Sequence, residues 1–155
     1  MDGAHEAPLI MQGWKMIFPN LMVKNVVASA TFYRDVVGMT VMFYTAADQG
    51  VLSDGEETGH DIVFAMLELN GAQLGLQEVK SLASEIPEAV PTKTPTMTGS
   101  VYFRETDIGA IQKRVDQDQV IKEPKTSWYG MREMYLSDPD GYVICCAEQD
   151  KDFSA

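Results

Sequence analysis

Alternating apolar and polar positions predict a strand, a helix and a second strand in the first third of the chain. The segment FPNLMVK (18–24) alternates with the period of two that is typical of a strand. Residues 25–39 have apolar side chains at helical spacing, with Asn25 as a candidate N-cap and Gly38 at the end. Residues 40–46 (TVMFYTA) predict the next strand.

The next fifty residues predict a loop, a hairpin and a linker. Residues 48–61 are polar and rich in glycine, which indicates a loop. Residues 62–79 form two apolar runs around Asn70-Gly71, a strong local signal for a β-hairpin. Residues 80–98 contain three prolines and no clear period, and we interpret them as a linker.

The second half of the chain repeats this order in a more compact form. The pattern predicts a strand at 99–107, a helix at 108–120 and a short strand from 121. The segment 127–149 then predicts a hairpin that turns at DPDG (138–141).

The two halves predict a duplicated unit. Leu21 corresponds to Val101, and the hairpin glycine Gly71 corresponds to Gly141. Each half is then a βαβββ module. Two paired modules predict an α+β fold in which a curved mixed sheet forms a cup and the helices lie on its convex side. The expected boundaries are an N-terminal extension (1–16), one domain (17–150) and a tail (151–155). Within the domain, module one covers 17–79, the linker 80–98 and module two 99–150.

Composition narrows the classes of partner. Among 155 residues, 23 are acidic and 12 basic, a net charge of −11, which disfavours nucleic acid and anionic membranes. The same charge favours a cationic ligand, although acidity also serves solubility alone. The start of the chain lacks the basic and apolar regions of a signal peptide, and two cysteines do not form a disulfide framework. We therefore expect a cytoplasmic protein.

Two segments resemble a known superfamily. FPNLMVKNVVASATFYRDVVGM and LSDPDGYVI are similar to the first strand and helix and the closing hairpin of the vicinal oxygen chelate proteins. This superfamily includes glyoxalase I, extradiol dioxygenases, fosfomycin-resistance enzymes and bleomycin-resistance proteins, and the resemblance covers residues 17–148. It is nearest to the bleomycin-resistance branch, whose members sequester a drug without chemistry.

The resemblance also predicts where a metal would bind. Enzymes of the superfamily hold a divalent metal in the cup with His, Glu or Gln from four strands. The corresponding positions here are Phe18, Gly75, Ser100 and Cys145, which do not form a workable donor set. The only histidines, His5 and His60, cannot replace it. We therefore expect no metal and no other cofactor.

The adjacent cysteines of the last strand point in opposite directions. Alternation places Cys145 in the cup and Cys146 in the helix-covered core. Cys146 is interpreted as a core residue. Cys145 either lines the pocket or acts as a nucleophile.

The same alternation predicts a pocket with aromatic surface and a few polar groups, as is typical of small-molecule sites. Trp128 and Tyr129 lie in the loop before the last hairpin, where an aromatic side chain can stack on a ligand. The predicted ligand-binding residues are Phe18, Asn20, Met22, Gln73, Tyr102, Arg104, Trp128, Glu133, Tyr135 and Cys145.

Three functions remain open at this point. The first is a metal-independent protein that binds a cationic or aromatic small molecule, with sequestration as the role of that binding. The second is a glyoxalase-like lyase or isomerase that uses Glu133, Tyr102 or Cys145 as acid or base. The third is an interaction module without a free ligand. The resemblance also implies a homodimer, because a second subunit can cover the apolar surface of an open cup.

Overall fold

The computed structural model describes residues 18–87, 95–96 and 100–153. The N-terminal extension (1–16) and residues 88–94 and 97–98 of the predicted linker lie outside these residues. Module one contains β1 (Asn20–Val23), α1 (Val26–Phe32), β2 (Thr40–Ala46), β3 (Val51–Leu52), β4 (Ile62–Leu69), β5 (Ala72–Glu78) and α2 (Val79–Glu85). Module two contains β6 (Ser100–Phe103), α3 (Ile108–Arg114), β7 (Val120–Thr126), β8 (Met131–Ser137) and β9 (Val143–Gln149).

Helix α1 begins and ends at the residues that the sequence indicates. The side chain of Asn25 accepts a hydrogen bond from the backbone N–H of Ala28, which caps the first turn. After Phe32 the helix widens into one π-helical turn, and it ends at Gly38 with a left-handed φ of 95°. Glycine adopts this conformation without steric cost, so the chain can reverse into β2.

The strands form two mixed sheets with the same internal order. Module one has the order β1-β5-β4-β2-β3, and module two has β6-β9-β8-β7. In each module the first strand runs parallel to the last, whereas the other neighbours are antiparallel. The predicted α+β class and the two βαβββ modules are confirmed. Hydrogen bonding divides the predicted cup into a five-stranded and a four-stranded sheet.

One core joins the modules. It is formed by α1 with its π-helical turn, by α3 and by the strand residues that point toward these helices. Tyr33 of the π-helical turn belongs to this core, as do Leu76, Phe103 and Ile144 of the strands. Helices α1 and α3 therefore cover one face of the sheets, and the opposite faces form the cup. Between modules, the hydroxyl of Tyr142 donates to the carbonyl of Met22 at 3.0 Å. No helix in the described ranges is long and apolar enough to cross a membrane.

Several predicted boundaries in module two are wrong. Strand β6 ends at Phe103, not at 107, because Glu105 has a left-handed φ of 58° and Asp107 caps the next helix. Helix α3 ends at Arg114 and is followed by a separate 3₁₀ turn at Gln117–Gln119. The strand expected from residue 121 extends over Val120–Thr126.

Two elements of module one lie where the sequence predicts none. Val51–Leu52 pairs with β2 inside the predicted loop 48–61. The first part of the predicted linker is α2, which begins at an N-cap, Glu78, and ends just before Pro87. A seven-residue helix is too short to show a clear period, and the nearby prolines hid it.

Candidate functional site

The cup-facing side chains of module one come from β1, β5, β4 and β2. Asn20 lies beside Gly75, and Met22 lies beside Gln77. On β4, Phe64 is opposite Gln77, and the rings of Phe64 and Phe43 lie 6.1 Å apart. This wall of the cup is mainly apolar, with amide groups at one end.

Amide hydrogen bonds fix the polar end of this wall. The side chain of Asn20 donates to Gln77 at 2.8 Å, and Gln77 donates in turn to Glu85 at 2.8 Å. Helix α2 is therefore bonded to the cup side of the sheet, unlike α1 and α3. The buried side chain of Gln73 donates to the sulfur of Met42 at 3.5 Å.

Module two presents a carboxylate surrounded by phenols. Glu133 on β8 is 8% exposed. The hydroxyl of Tyr102 on β6 donates to its Oε1 at 2.7 Å, and Tyr129 in the β7–β8 turn donates to the same oxygen. Burial favours the neutral acid, but the hydrogen bonds from Tyr102, Tyr129 and Tyr135 outweigh it, so the pKa of Glu133 is lowered. Glu133 is therefore ionised at neutral pH.

The tyrosines are held as neutral donors. Burial and the bond to Glu133 raise the pKa of Tyr102. The hydrogen bond to Cys145 and burial raise the pKa of Tyr135 to about 12. The ammonium group of Lys122 lies 5.5 Å from the centre of the Tyr135 ring, which is a cation–π distance. This second wall combines one negative charge with several aromatic faces.

The two cysteines differ as alternation predicts. Cys146 belongs to the helix-covered core, and burial raises the pKa of its thiol to about 12. Cys145 lies between Tyr102 and Tyr135 in the sheet and is 1% exposed. Burial raises the pKa of Cys145, although the hydrogen bond from Tyr135 opposes this shift. A neutral, covered thiol is a weak nucleophile, so the structure favours packing for Cys145.

Two predicted site residues lie at the rim. Trp128 is 87% exposed at the tip of the β7–β8 turn and packs edge-to-face on Tyr129 at 5.2 Å. Arg104 lies beyond the end of β6 and is exposed. It lines a groove of about 310 Å³ between its own segment, which includes Tyr102, and the hairpin turn of module one around Asn70. The structure therefore groups Tyr102, Glu133, Tyr135 and Cys145 on one wall, and Phe18, Asn20, Met22 and Gln73 on the other.

Lys122 is a site residue that the sequence prediction missed. It lies on β7, which was predicted only as a possible short strand, and its proximity to Tyr135 depends on an irregular pairing between β7 and β8. No local sequence signal marks such a bulge.

Known proteins share the sequence pattern and the fold of this chain. The model of the "Glyoxalase/Bleomycin resistance protein/Dioxygenase superfamily" matches residues 15–146. The chain belongs to this superfamily. A search of curated proteins found no match.

Solved structures share the fold at low sequence identity. A glyoxalase/bleomycin resistance protein/dioxygenase family enzyme from Burkholderia phytofirmans has a TM-score of 0.60 at 18% identity, covering 84% of this chain and 94% of its own. A protein of unknown function from Agrobacterium tumefaciens has a TM-score of 0.63 at 23% identity, covering 92% and 99%. A lactoylglutathione lyase from the same organism has 0.53 at 17% identity, covering 91% and 99%.

The metal site of the superfamily does not fit the residues present here. At the predicted positions, Phe18 and Gly75 offer no donor, and the ring of Phe18 lies 3.0 Å from the point where a side chain on Gly75 would begin. The phenyl ring thus fills the space of a ligand. Ser100 is exposed, and Cys145 is a buried neutral thiol. Within the described residues there is no group of three or more His, Cys, Asp or Glu side chains that could hold a metal.

Proposed function

We propose that the protein binds a small cationic or aromatic molecule in the cup between the two modules, without a metal. The observation that carries the proposal is the ionised, largely buried Glu133 beneath Tyr102 and Tyr129. A carboxylate in this position attracts a positive group, and the rings around it provide flat apolar surface.

The chemistry of the site supports binding better than catalysis. An effective general acid or base has a pKa near the working pH. The pKa of Glu133 is instead lowered, and those of Tyr102, Tyr135 and Cys145 are raised. Sequestration of a compound requires only affinity, and this set of groups can supply it.

A ligand screen with matched variants tests this proposal. Cationic, neutral and anionic aromatic compounds are screened by thermal shift on the wild-type protein and on Tyr102→Ala. Compounds that stabilise the wild type should lose at least about half of their shift in the variant, since an aromatic contact contributes roughly 0.5–1.5 kcal/mol beyond area burial.

Ile121→Ala is the control, because Ile121 is an apolar residue of similar exposure, 54% against 44% for Tyr102, and lies on the outer strand β7. Equal shifts in all three proteins would place binding outside the cup and contradict the proposal. Turnover of a screened compound would favour the lyase or isomerase hypothesis instead.

A further inference from the structure

We infer, building on the proposed function, that the cup holds its ligand in one orientation and that Lys122 occupies part of the site when the ligand is absent. An alkylammonium group lies against Glu133 and the tyrosine rings, and an apolar body lies against the Phe43–Phe64 wall. The ammonium group of Lys122 is the internal substitute for the ligand cation.

Glu133 has no counter-ion in a salt bridge among the described residues. In the part of the chain that the structure describes, no lysine or arginine forms a salt bridge with it, and the three salt bridges present lie elsewhere. Hydroxyl donors hold the carboxylate in its charged form but do not neutralise it. The carboxylate therefore keeps its full negative charge in a largely covered position, and this charge attracts a cation supplied by a ligand.

Lys122 lies beside the carboxylate site, on the face of Tyr135. Its ammonium group lies over the face of Tyr135, 5.5 Å from the ring centre, and its charge helps to lower the pKa of Glu133. The residue is exposed on the outer strand β7, so its side chain can move into solvent. Aromatic faces recognise alkylated ammonium groups through cation–π contacts, and here a carboxylate lies beside them. The protein thus shows a cation at the place where a ligand cation would bind.

The two walls of the cup differ in polarity and charge. Phe43 and Phe64 are partly exposed, and their rings are tilted by 35° toward each other. Gln77 is the neighbour of Phe64 across the strands, and Met22 lies on the other side of Gln77. An apolar wall on module one and a negatively charged wall on module two suit a molecule that has an apolar body and a cationic end.

Two probes with the same aromatic body separate the contributions. The cation 2-naphthylmethyl-trimethylammonium and the neutral 2-naphthylmethanol are titrated calorimetrically into the wild-type protein, Glu133→Gln and Lys122→Met. Lys113→Met is the control, because it removes the same charge from an exposed position on α3, in the helix layer.

We expect the cation to bind the wild type at least about tenfold more tightly than the neutral probe, and Glu133→Gln to abolish this preference, as for loss of a bond to a charged group. Lys122→Met should strengthen binding of the cation by about two- to fivefold, as for loss of an exposed competing cation–π contact. Lys113→Met and the neutral probe should show no such gain.

Each alternative outcome has a separate meaning. Equal affinity for both probes, unchanged in Glu133→Gln, would overturn the orientation while leaving small-molecule binding intact. Unchanged or weaker binding of the cation to Lys122→Met would overturn the role of Lys122. This exposed substitution remains informative even where Glu133→Gln fails to fold. Failure of every probe and of the wider screen would overturn the proposed function itself.

Discussion

Two buried tyrosines of module one should respond in opposite ways to loss of their hydroxyl group. Tyr33 and Tyr44 are both fully buried. The hydroxyl of Tyr33 donates to the carboxylate of Asp138 in module two at 2.8 Å. The hydroxyl of Tyr44 has no hydrogen-bond partner among the described residues. Substitution by phenylalanine removes one oxygen from the core in each case.

The expected magnitudes follow from these partners. Tyr33→Phe removes a hydrogen bond to a charged acceptor, so the free energy of unfolding should fall by about 1.5–3 kcal/mol. Tyr44→Phe removes a buried polar atom that makes no bond, so the free energy of unfolding should stay the same or rise by up to about 1 kcal/mol.

The penalty of Tyr33→Phe should also depend on pH. Burial raises the pKa of Asp138, although the hydrogen bonds from Tyr33 and from two backbone N–H groups oppose the shift. Because the pKa of Asp138 is higher in the folded protein than in the unfolded chain, protonation of Asp138 stabilises the fold. This stabilisation is complete below the unfolded pKa and is lost as the pH rises through the folded pKa. Tyr33 reduces that loss. Tyr33→Phe should therefore be most destabilising at neutral pH and less so near about pH 4, close to the ordinary pKa of aspartate.

Urea denaturation of the wild type and both variants at the two pH values measures these differences. The account requires a large penalty for Tyr33→Phe, smaller in acid, and none for Tyr44→Phe. Equal losses for the two variants would show that the Tyr33–Asp138 bond does not join the modules as described. A penalty for Tyr33→Phe that grows in acid would contradict the assigned charge state of Asp138.

Three further predictions concern the cup and the assembly. Trp128→Ala should weaken binding of a cup ligand by about tenfold if the ring stacks on the ligand, whereas unchanged affinity in a titration would make Trp128 a rim residue only. Cys145→Ser should change ligand affinity little. The native thiol of Cys145 should react slowly with iodoacetamide because it is covered and neutral, whereas rapid labelling with loss of ligand binding would support covalent chemistry. Light scattering should give about twice the chain mass of 17.2 kDa, and a monomer at micromolar concentration would refute the homodimer.

The sequence predicts the modules well because their signals are local. Asn25, Gly38 and the Asn70-Gly71 turn each mark an element boundary through backbone chemistry, and the structure confirms all three. Alternation in β9 also assigned Cys145 and Cys146 to opposite faces. These signals do not need knowledge of distant contacts.

The parts that the sequence did not predict lack a clear local pattern or depend on contacts between elements. Helix α2 forms where its Glu85 meets Gln77 of β5, and a seven-residue apolar pattern does not reveal it. Lys122 reaches Tyr135 through irregular strand pairing. Alternation predicts that Glu133 faces the cup. Its hydroxyl donors Tyr102 and Tyr129, however, lie on another strand and in a turn, so the ionised state of Glu133 could be derived only from the structure.

Ligand affinity before and after removal of metal tests the central claim most directly. The best compound of the screen is titrated into protein as purified and into protein dialysed against a chelator, and the metal content of both samples is measured by mass spectrometry. The account predicts the same affinity in both samples and no stoichiometric zinc, nickel, iron or manganese. Affinity that disappears with the chelator and returns with one equivalent of a divalent metal would contradict it.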